Sequence, residues 1–294
     1  MKLSDNAIVI VLHKKHVKYF ENFKKNFKKK NNNYDIIFFC DNISVTFQNY
    51  DNLIFLNLRK KISITGVRNY LIKHLITQNY QNVMFADLED FFKEERAIMT
   101  FKYLKKYDVV FNDINLLKKN KIIKKNIFKN FFSGQKKINL ENILNSNFFG
   151  FCNSGTKVKN LVNIEIPKNI IAIDWWIFSL ILLNKKKIKF LKKISTNYRI
   201  DNMNIVGINK KINKKKLEKL IDIKYYHYLN MLYYCKKLFL NNKRNIFEQK
   251  YKYIKKIRLK SKNNKFSNEL LKIINKKKYN LFNGWFNELS LENK

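Results

Sequence analysis

The sequence predicts an α/β domain on a mostly parallel central sheet, followed by a helical C-terminal extension. Three observations predict it. Short apolar runs of strand length alternate with stretches of helical periodicity up to about residue 208. Carboxylates stand directly behind several of those runs, at the strand ends where open α/β sheets bind ligands. From about residue 209 the strand signal fades into lysine-studded, tyrosine-rich helical segments, so a boundary near 208 divides a domain of residues 1–208 from an extension of residues 209–294.

Ala7 to Leu12 is a continuous, β-branched apolar run, as expected of a strand buried on both faces. His16 to about Lys30 has helical spacing, with Val17, Tyr19, Phe20, Phe23 and Phe27 among lysines. Asp35 to Cys40 reads as a second buried strand ending in Asp41-Asn42, and Leu53 to Leu56 as a third. Gly66 to about Gln78 reads as a helix with Val67, Tyr70, Leu71, His74 and Leu75 on one face. Asn82 to Phe85 is a fourth strand, and MFADLEDFF places Asp87, Glu89 and Asp90 at its C-terminal end. A helix over Glu94–Lys106 and a strand over Asp108–Phe111 follow, with Asn112-Asp113 at that strand's end and a lysine-rich loop over residues 117–137. Asn147 to Cys152 is apolar around Gly150, and Pro167 precedes a buried helix over Ile170–Leu183. A last strand, Ile188 to Leu191, leads into the polar segment YRIDNMNIVG.

Composition narrows the class. The 294 residues are 46% hydrophobic and 15% aromatic, which supports a packed core rather than a disordered chain. Lys and Arg number 61 against 22 Asp and Glu, a net charge of +39 that suits nucleic acid, another polyanion or an anionic membrane surface. Lysine and asparagine are also what AT-rich codons favour, so the charge alone assigns no partner. Cys40, Cys152 and Cys235 are far apart and form neither a zinc pattern nor a disulfide framework, as in a reducing cytoplasm. MKLSDNAIVIVLH lacks the features of a signal peptide, and the longest apolar stretch contains Asp174 and is too short to span a bilayer. The expectation is a cytoplasmic protein, either soluble or peripheral on the inner face of the cytoplasmic membrane.

Asp87 and Glu89, two apart in an extended or turning segment, can project to one side. Two such carboxylates together with substrate phosphates are enough to hold Mg²⁺ or Mn²⁺. The plain alternative is a solvated turn in which Asp87 caps the next helix. Asp174, set among isoleucines and tryptophans, is either a helix cap or a carboxylate whose burial suits it to general-base work. Residues 209–294 carry a helix with a broad apolar face of Tyr225, Tyr226, Tyr228, Leu229, Leu232, Tyr233, Leu238 and Phe239, then a basic stretch of Lys250, Lys252, Lys255, Lys256, Lys260 and Lys262. Packing against the first domain with a solvated basic face is one reading; a membrane patch that meets a lipid-linked acceptor is the sharper one. RNA ranks below both, because the first 208 residues offer no nucleic-acid module.

In this order and spacing the motifs resemble those of glycosyltransferase family 2 enzymes of the GT-A fold, in the rhamnosyltransferase-like branch that builds bacterial surface polysaccharides. The matching residues are Asp41-Asn42-Ile43-Ser44, Gly66-Val67-Arg68-Asn69 and Asp87-Leu88-Glu89-Asp90. Pro167 with Ile173-Asp174-Trp175-Trp176 follows, and then Tyr198, Arg199, Asp201, Asn204 and Gly207. The resemblance covers about residues 6–208, and the last two motifs are the specific ones.

It implies an inverting, metal-dependent transferase that moves a hexose or deoxyhexose from a nucleotide-sugar donor to a glycan or lipid-linked acceptor. Asp41 would bond the base, with His13 and Asn69 also at the donor. Asp87 would reach the ribose and the metal, Glu89 would be the principal Mn²⁺ or Mg²⁺ ligand, Asp201 a further one, and Arg199 would pair with diphosphate. Asp174 would be the general base, and Gly150, Trp175 and Trp176 would serve the acceptor side or packing. Glu89 stands where the family has aspartate, and Asp201 where it has histidine. Those two departures leave a degenerate transferase as an alternative, beside a polyanion-binding protein on an α/β scaffold.

Overall fold

The structure, a computed structural model, describes residues 3–25, 27, 33–41, 43, 53–58, 62–132, 138–200 and 213–276. Two compact units separate: residues 1–141, 148–168 and 177–200 form the first, and residues 142–147, 169–176 and 201–294 the second.

The first unit is built on one sheet. β1 (Asn6–His13) is central, and Ala7 to Leu12 are all buried, as a strand covered on both faces requires. It pairs in parallel with β2 (Asp35–Asp41) and β4 (Asn82–Ala86), and β2 pairs in parallel with β3 (Leu53–Leu58). Between β1 and β2 the expected helix opens as a 3-10 segment over Lys14–Tyr19, with no side-chain cap at His13, and continues as α1 (Phe20–Lys25). α2 (Ile64–Thr77) begins two residues before Gly66, since the Ser63 hydroxyl accepts the Gly66 N–H at 3.1 Å and caps the helix there. α3 (Glu94–Leu104) follows the acidic turn.

The second half of the sheet departs more from expectation. β5 (Val109–Lys118) runs through Asn112-Asp113 rather than ending there. Asp113 is fully buried inside the strand because its carboxylate accepts the backbone N–H groups of Ile114, Phe128 and Lys129 at 2.8, 2.8 and 3.1 Å. The predicted loop over residues 117–137 begins instead as a hairpin, with β6 (Lys121–Lys124) turning back on β5, and then α4 (Lys129–Phe132). After α5 (Leu140–Ile143), β7 (Ser154–Lys157) inserts antiparallel between β4 and β5. α6 (Ile173–Leu183) leads to β8 (Ile188–Arg199), which pairs in parallel with β5 and is far longer than its apolar beginning. Polar cross-strand bonds extend it: Asn112 Nδ2 donates to Thr196 Oγ1 at 3.0 Å, and Asn115 Nδ2 to Ser195 Oγ and Asn197 Oδ1, both at 2.9 Å. The sheet order is β3-β2-β1-β4-β7-β5-β6 with β8 on β5, so parallel pairings predominate. On one face α1 and α3 bury Phe20, Phe23, Phe38, Phe92 and Leu104 in a single apolar cluster.

The second unit is helical. α7 (Lys214–Lys237), α8 (Asn241–Lys260) and α9 (Asn264–Lys276) follow one another, and the Asn213 side chain caps α7 by accepting the Lys216 N–H at 3.0 Å. Short pieces from earlier in the chain complete it. The Trp175 indole donates to the Ile143 carbonyl at 2.7 Å and stacks on His227 with centroids 3.7 Å apart and planes 5° from parallel. Tyr228 donates to the Leu144 carbonyl at 2.9 Å. Among the described residues no helix is long and apolar enough to cross a membrane.

Candidate active site

The carboxyl ends of β1, β2 and β4 carry His13, Asp41 and Asp87. β1 and β2 pair so that His13 lies directly opposite Asp41, and His13 Nδ1 meets Asp41 Oδ2 at 3.0 Å. Burial lowers the His13 pKa, Arg68 and Lys15 press it the same way, and Asp41 pulls it back up. Asp87 follows β4 with about 30% of its side chain exposed, facing Arg68 Nη2 at 3.8 Å. Its pKa is raised by burial, against the pull of Arg68, Arg96 and His13. Arg68 itself comes from α2 and lies over the Phe151 ring, 4.2 Å from the centroid.

The turn that follows has two sides. The Glu89 carboxylate faces outward to His16 Nδ1 at 3.1 Å. Asp90 is buried, accepts the Arg199 backbone N–H at 2.8 Å through Oδ1, and leaves Oδ2 with no hydrogen-bond partner among the described residues. Burial and the neighbouring Glu89 and Asp87 charges push its pKa well up. The Arg199 side chain closes over the turn. Its Nε donates to the Glu89 carbonyl at 3.0 Å, its Nη1 to Asn120 Oδ1 at 3.0 Å, and its guanidinium lies 4.9 Å from the Tyr19 ring centroid. Arg96 is buried beneath, with Nη2 donating to the Phe85 carbonyl at 2.7 Å and a pKa lowered to about 10 by burial. What stands among the acids is therefore arginine: Arg68, Arg96 and Arg199 answer Asp87, Glu89 and Asp90. Beside the turn opens a cleft of about 570 Å³ lined by Tyr19, Phe23, Glu89, Phe91, Asn120 and Arg199, among others.

His13, Asp41, Asp87, Glu89 and Arg199 all belong to the first unit, and each makes a polar contact around the strand ends. Asn69 spends both ends of its amide on the backbone of Ile166, donating at 3.3 Å and accepting at 3.1 Å, which fixes α2 to that segment. The Gly150 N–H is held by Asn153 Oδ1 at 2.8 Å. Trp175 and Trp176 are buried in the second unit, where they pack against His227 and Tyr234. Asp174 lies in the first turn of α6, half-buried, in the second unit, and its Oδ1 accepts the Trp175 N–H at 2.8 Å. Asn42, Ser44, Asp201, Asn204 and Gly207 lie outside the described residues. Sequence reading passed over His16, Tyr19, Arg68 and Arg96 as site residues. The spacing of His13 and His16 was the one usable signal, since residues three apart share a face of a 3-10 helix.

Among the described residues no three His, Cys, Asp or Glu side chains converge on a point. Asp87 and Glu89 present oxygen donors only, each partly exposed. That set does not make a closed cage. It does fit a hard divalent cation that keeps waters and shares its remaining positions with phosphate oxygens, the habit of Mg²⁺ and Mn²⁺.

No family model matches the chain, and no curated protein matches it in sequence. Its fold has solved counterparts. Residues 1–349 of TarS from S. aureus match over 94% of this chain and 79% of that one, with a TM-score of 0.56 at 14% identity. The same TarS piece in complex with UDP-GlcNAc matches over 78% of this chain and 67% of that one, with a TM-score of 0.54 at 15% identity. The mannosyltransferase PcManGT from Pyrobaculum calidifontis, in complex with GDP-Man and Mn²⁺, matches over 96% and 82%, with a TM-score of 0.53 at 8% identity. At these identities the likeness is one of fold, and the chain has the GT-A-like α/β fold of these glycosyltransferases.

Proposed function

We propose that the chain is an inverting glycosyltransferase that takes a hexose or deoxyhexose from a nucleotide-sugar donor and places it on a hydroxyl of a glycan or lipid-linked acceptor in surface-polysaccharide synthesis. The observation that carries this reading is the grouping of His13, Asp41, Arg68, Asp87 and Glu89 at the carboxyl ends of three parallel strands, where open α/β sheets bind ligands. The fold's counterparts in complexes with UDP-GlcNAc and with GDP-Man support it.

Asp41, its carboxylate steadied by His13, accepts hydrogen bonds from the base. Arg68 offers a guanidinium to the diphosphate from α2 without leaving Asp87. Asp87 and Glu89, with Asp201, are the residues that would hold a divalent cation. Such an ion, when bound, stabilises the negative charge of the departing diphosphate. Arg199, which lines the cleft, would pair with the diphosphate while it and Arg96 keep the turn in shape. Asp174 takes the proton of the acceptor hydroxyl as its oxygen attacks the anomeric carbon. The bond to diphosphate breaks in the same displacement, its electron pair leaves with the phosphate, and the carbon inverts.

Thermal unfolding with UDP, GDP, CDP, ADP and dTDP, each with and without Mn²⁺, tests the donor site. A stabilisation that needs one nucleotide and is lost in Asp87→Asn and Glu89→Gln is expected. Tight, salt-sensitive RNA binding with no response to any nucleotide would overturn the reading in favour of a polyanion-binding protein.

A further inference from the structure

Helix α7 ends in a Schellman motif: the Leu240 N–H bonds to the Cys235 carbonyl at 2.9 Å and the Phe239 N–H to the Lys236 carbonyl at 3.1 Å. The residue that must turn left-handed in this motif is normally glycine, sometimes asparagine. Here it is Phe239, at φ 54°. A bulky side chain in that region is a backbone outlier, so local conformation disfavours phenylalanine at this position. Burial does not compensate, because Phe239 is 86% exposed. Asparagine, the tolerated alternative, is abundant in this chain and occupies the next two exposed positions, Asn241 and Asn242. Among the described residues nothing accounts for the phenylalanine.

Its surroundings indicate what does. Leu238 is 47% exposed beside it, and Tyr233, further back on α7, is 60% exposed. Lys236 and Lys237 are exposed on the same last turn, and Lys243 and Arg244 open α8. No acidic residue occurs between Asp222 and Glu248, and the Glu248 carboxylate is engaged by Lys252 at 2.9 Å. An apolar tip, a ring of cations and an amphipathic tyrosine behind it match the layers of an anionic lipid surface. Acyl chains accept the tip, phosphates meet the cations, and the interfacial region suits a tyrosine.

We infer that the α7–α8 turn, with Leu238 and Phe239 at its tip and Lys236, Lys237, Lys243 and Arg244 around them, is an insertion point for an anionic lipid bilayer. It is separate from the basic stretch over residues 250–262 and does not depend on the transferase reading. An acceptor carried on lipid would make the two work together.

The test is sedimentation of the full chain with phosphatidylcholine vesicles, with and without phosphatidylglycerol, for the wild type and Phe239→Gly. The wild type is expected to bind the anionic vesicles. Phe239→Gly is expected to bind about tenfold more weakly, on the scale of one apolar side chain withdrawn from lipid. The same substitution is expected to raise the melting temperature, since glycine suits the left-handed position. Phe239→Trp should add emission that shifts to the blue on anionic vesicles and is quenched by acyl-brominated lipid. Equal vesicle binding by wild type and Phe239→Gly would overturn the inference and leave bulk charge as the attraction. A lower melting temperature in Phe239→Gly would overturn it too, by showing that the ring packs within the fold. Self-association of the wild type without vesicles, abolished by Phe239→Gly, would assign the tip to a second copy instead. Nucleotide stabilisation should be the same in wild type and Phe239→Gly, so failure here and failure of the donor site are told apart.

Discussion

Arg199 holds Glu89 by the main chain: its Nε donates to the Glu89 carbonyl at 3.0 Å, and the carboxylate is left to face His16. The guanidinium fork also reaches Asn120, so one side chain ties the acidic turn to the β5–β6 hairpin. Arg199→Lys keeps the charge and loses the fork. It should cost about 1–2 kcal/mol in denaturant unfolding and weaken nucleotide binding, measured by titration calorimetry, as the turn loosens. Unchanged nucleotide affinity in a destabilised Arg199→Lys would show that the turn does not depend on this clamp.

His13 and Asp41 make a prediction about protons. The folded His13 pKa lies below its ordinary 6.5, with burial the largest cause and Asp41 the opposing one. The unfolded chain therefore binds the proton more readily, so the contribution of neutral His13 is present above pH 6.5 and is lost as pH falls below it. Asp41→Asn removes the group that raises the pKa and should push it lower still. Imidazole proton shifts followed by NMR across pH 4–8 would read both values, and a higher pKa in Asp41→Asn would contradict the pairing.

The second unit should unfold in acid for a similar reason, more strongly. His227 is buried between Trp175 and the rest of its helix, with Lys224 close by, and its pKa is lowered to about 3, chiefly by burial. Stability tied to its neutral form is lost as pH falls from 6.5 towards 3, on the order of a few kcal/mol. Tryptophan fluorescence should follow the transition, because the Trp175 stack breaks with it. His227→Phe keeps a flat ring on Trp175 and removes the titration, so its stability should vary less with pH over that window.

Gly155 is required by a close approach. A Cβ there would stand 2.7 Å from Thr100 Cγ2 and 2.8 Å from the Val83 carbonyl oxygen, where α3 crosses the β4–β7 pair. Gly155→Ala should cost about 1–3 kcal/mol as an overpacked site. Adding Thr100→Ser should recover only part of that, since the carbonyl contact remains. Calorimetric melting temperatures of the single and double variants would decide it.

The elements that the sequence disclosed carry an apolar pattern of their own, on both faces of a strand or along one stripe of a helix. Ala7–Leu12, Asp35–Cys40 and Asn82–Phe85 read as strands because parallel sheets bury both faces, and α2 and α3 because their apolar stripes are periodic. What stayed hidden is held by polar bonds between distant residues. β7 is SGTK, with no apolar signature, and the second half of β8 is joined to β5 by asparagine, serine and threonine. β5 passes through a buried aspartate, and two of its three N–H donors, Phe128 and Lys129, lie far along the chain where the local sequence does not name them. The site was legible to the same extent. Asp41, Asp87 and Glu89 stand at strand ends and could be picked out by position, whereas Arg68, Arg96 and His16 become site residues only once helices fold back over those ends.

Phe91 forms an isolated bridge with Asn197, with N–H to carbonyl distances of 3.1 and 2.8 Å in the two directions. Their separation along the chain sets a timetable. As a polypeptide leaves the ribosome, β1 to β4 can come into register as soon as residue 86 is free, but the acidic turn just beyond them still lacks its far wall. More than a hundred further residues must be synthesised, and β8 must close its long loop onto β5, before Asn197 and Arg199 arrive. The β3-β2-β1-β4 part of the sheet is thus an early structure and the shaped turn a late one. A nascent chain halted before β8 would present the acidic turn without the Arg199 clamp on its main chain and on Asp90, with β1 to β4 beneath it already made.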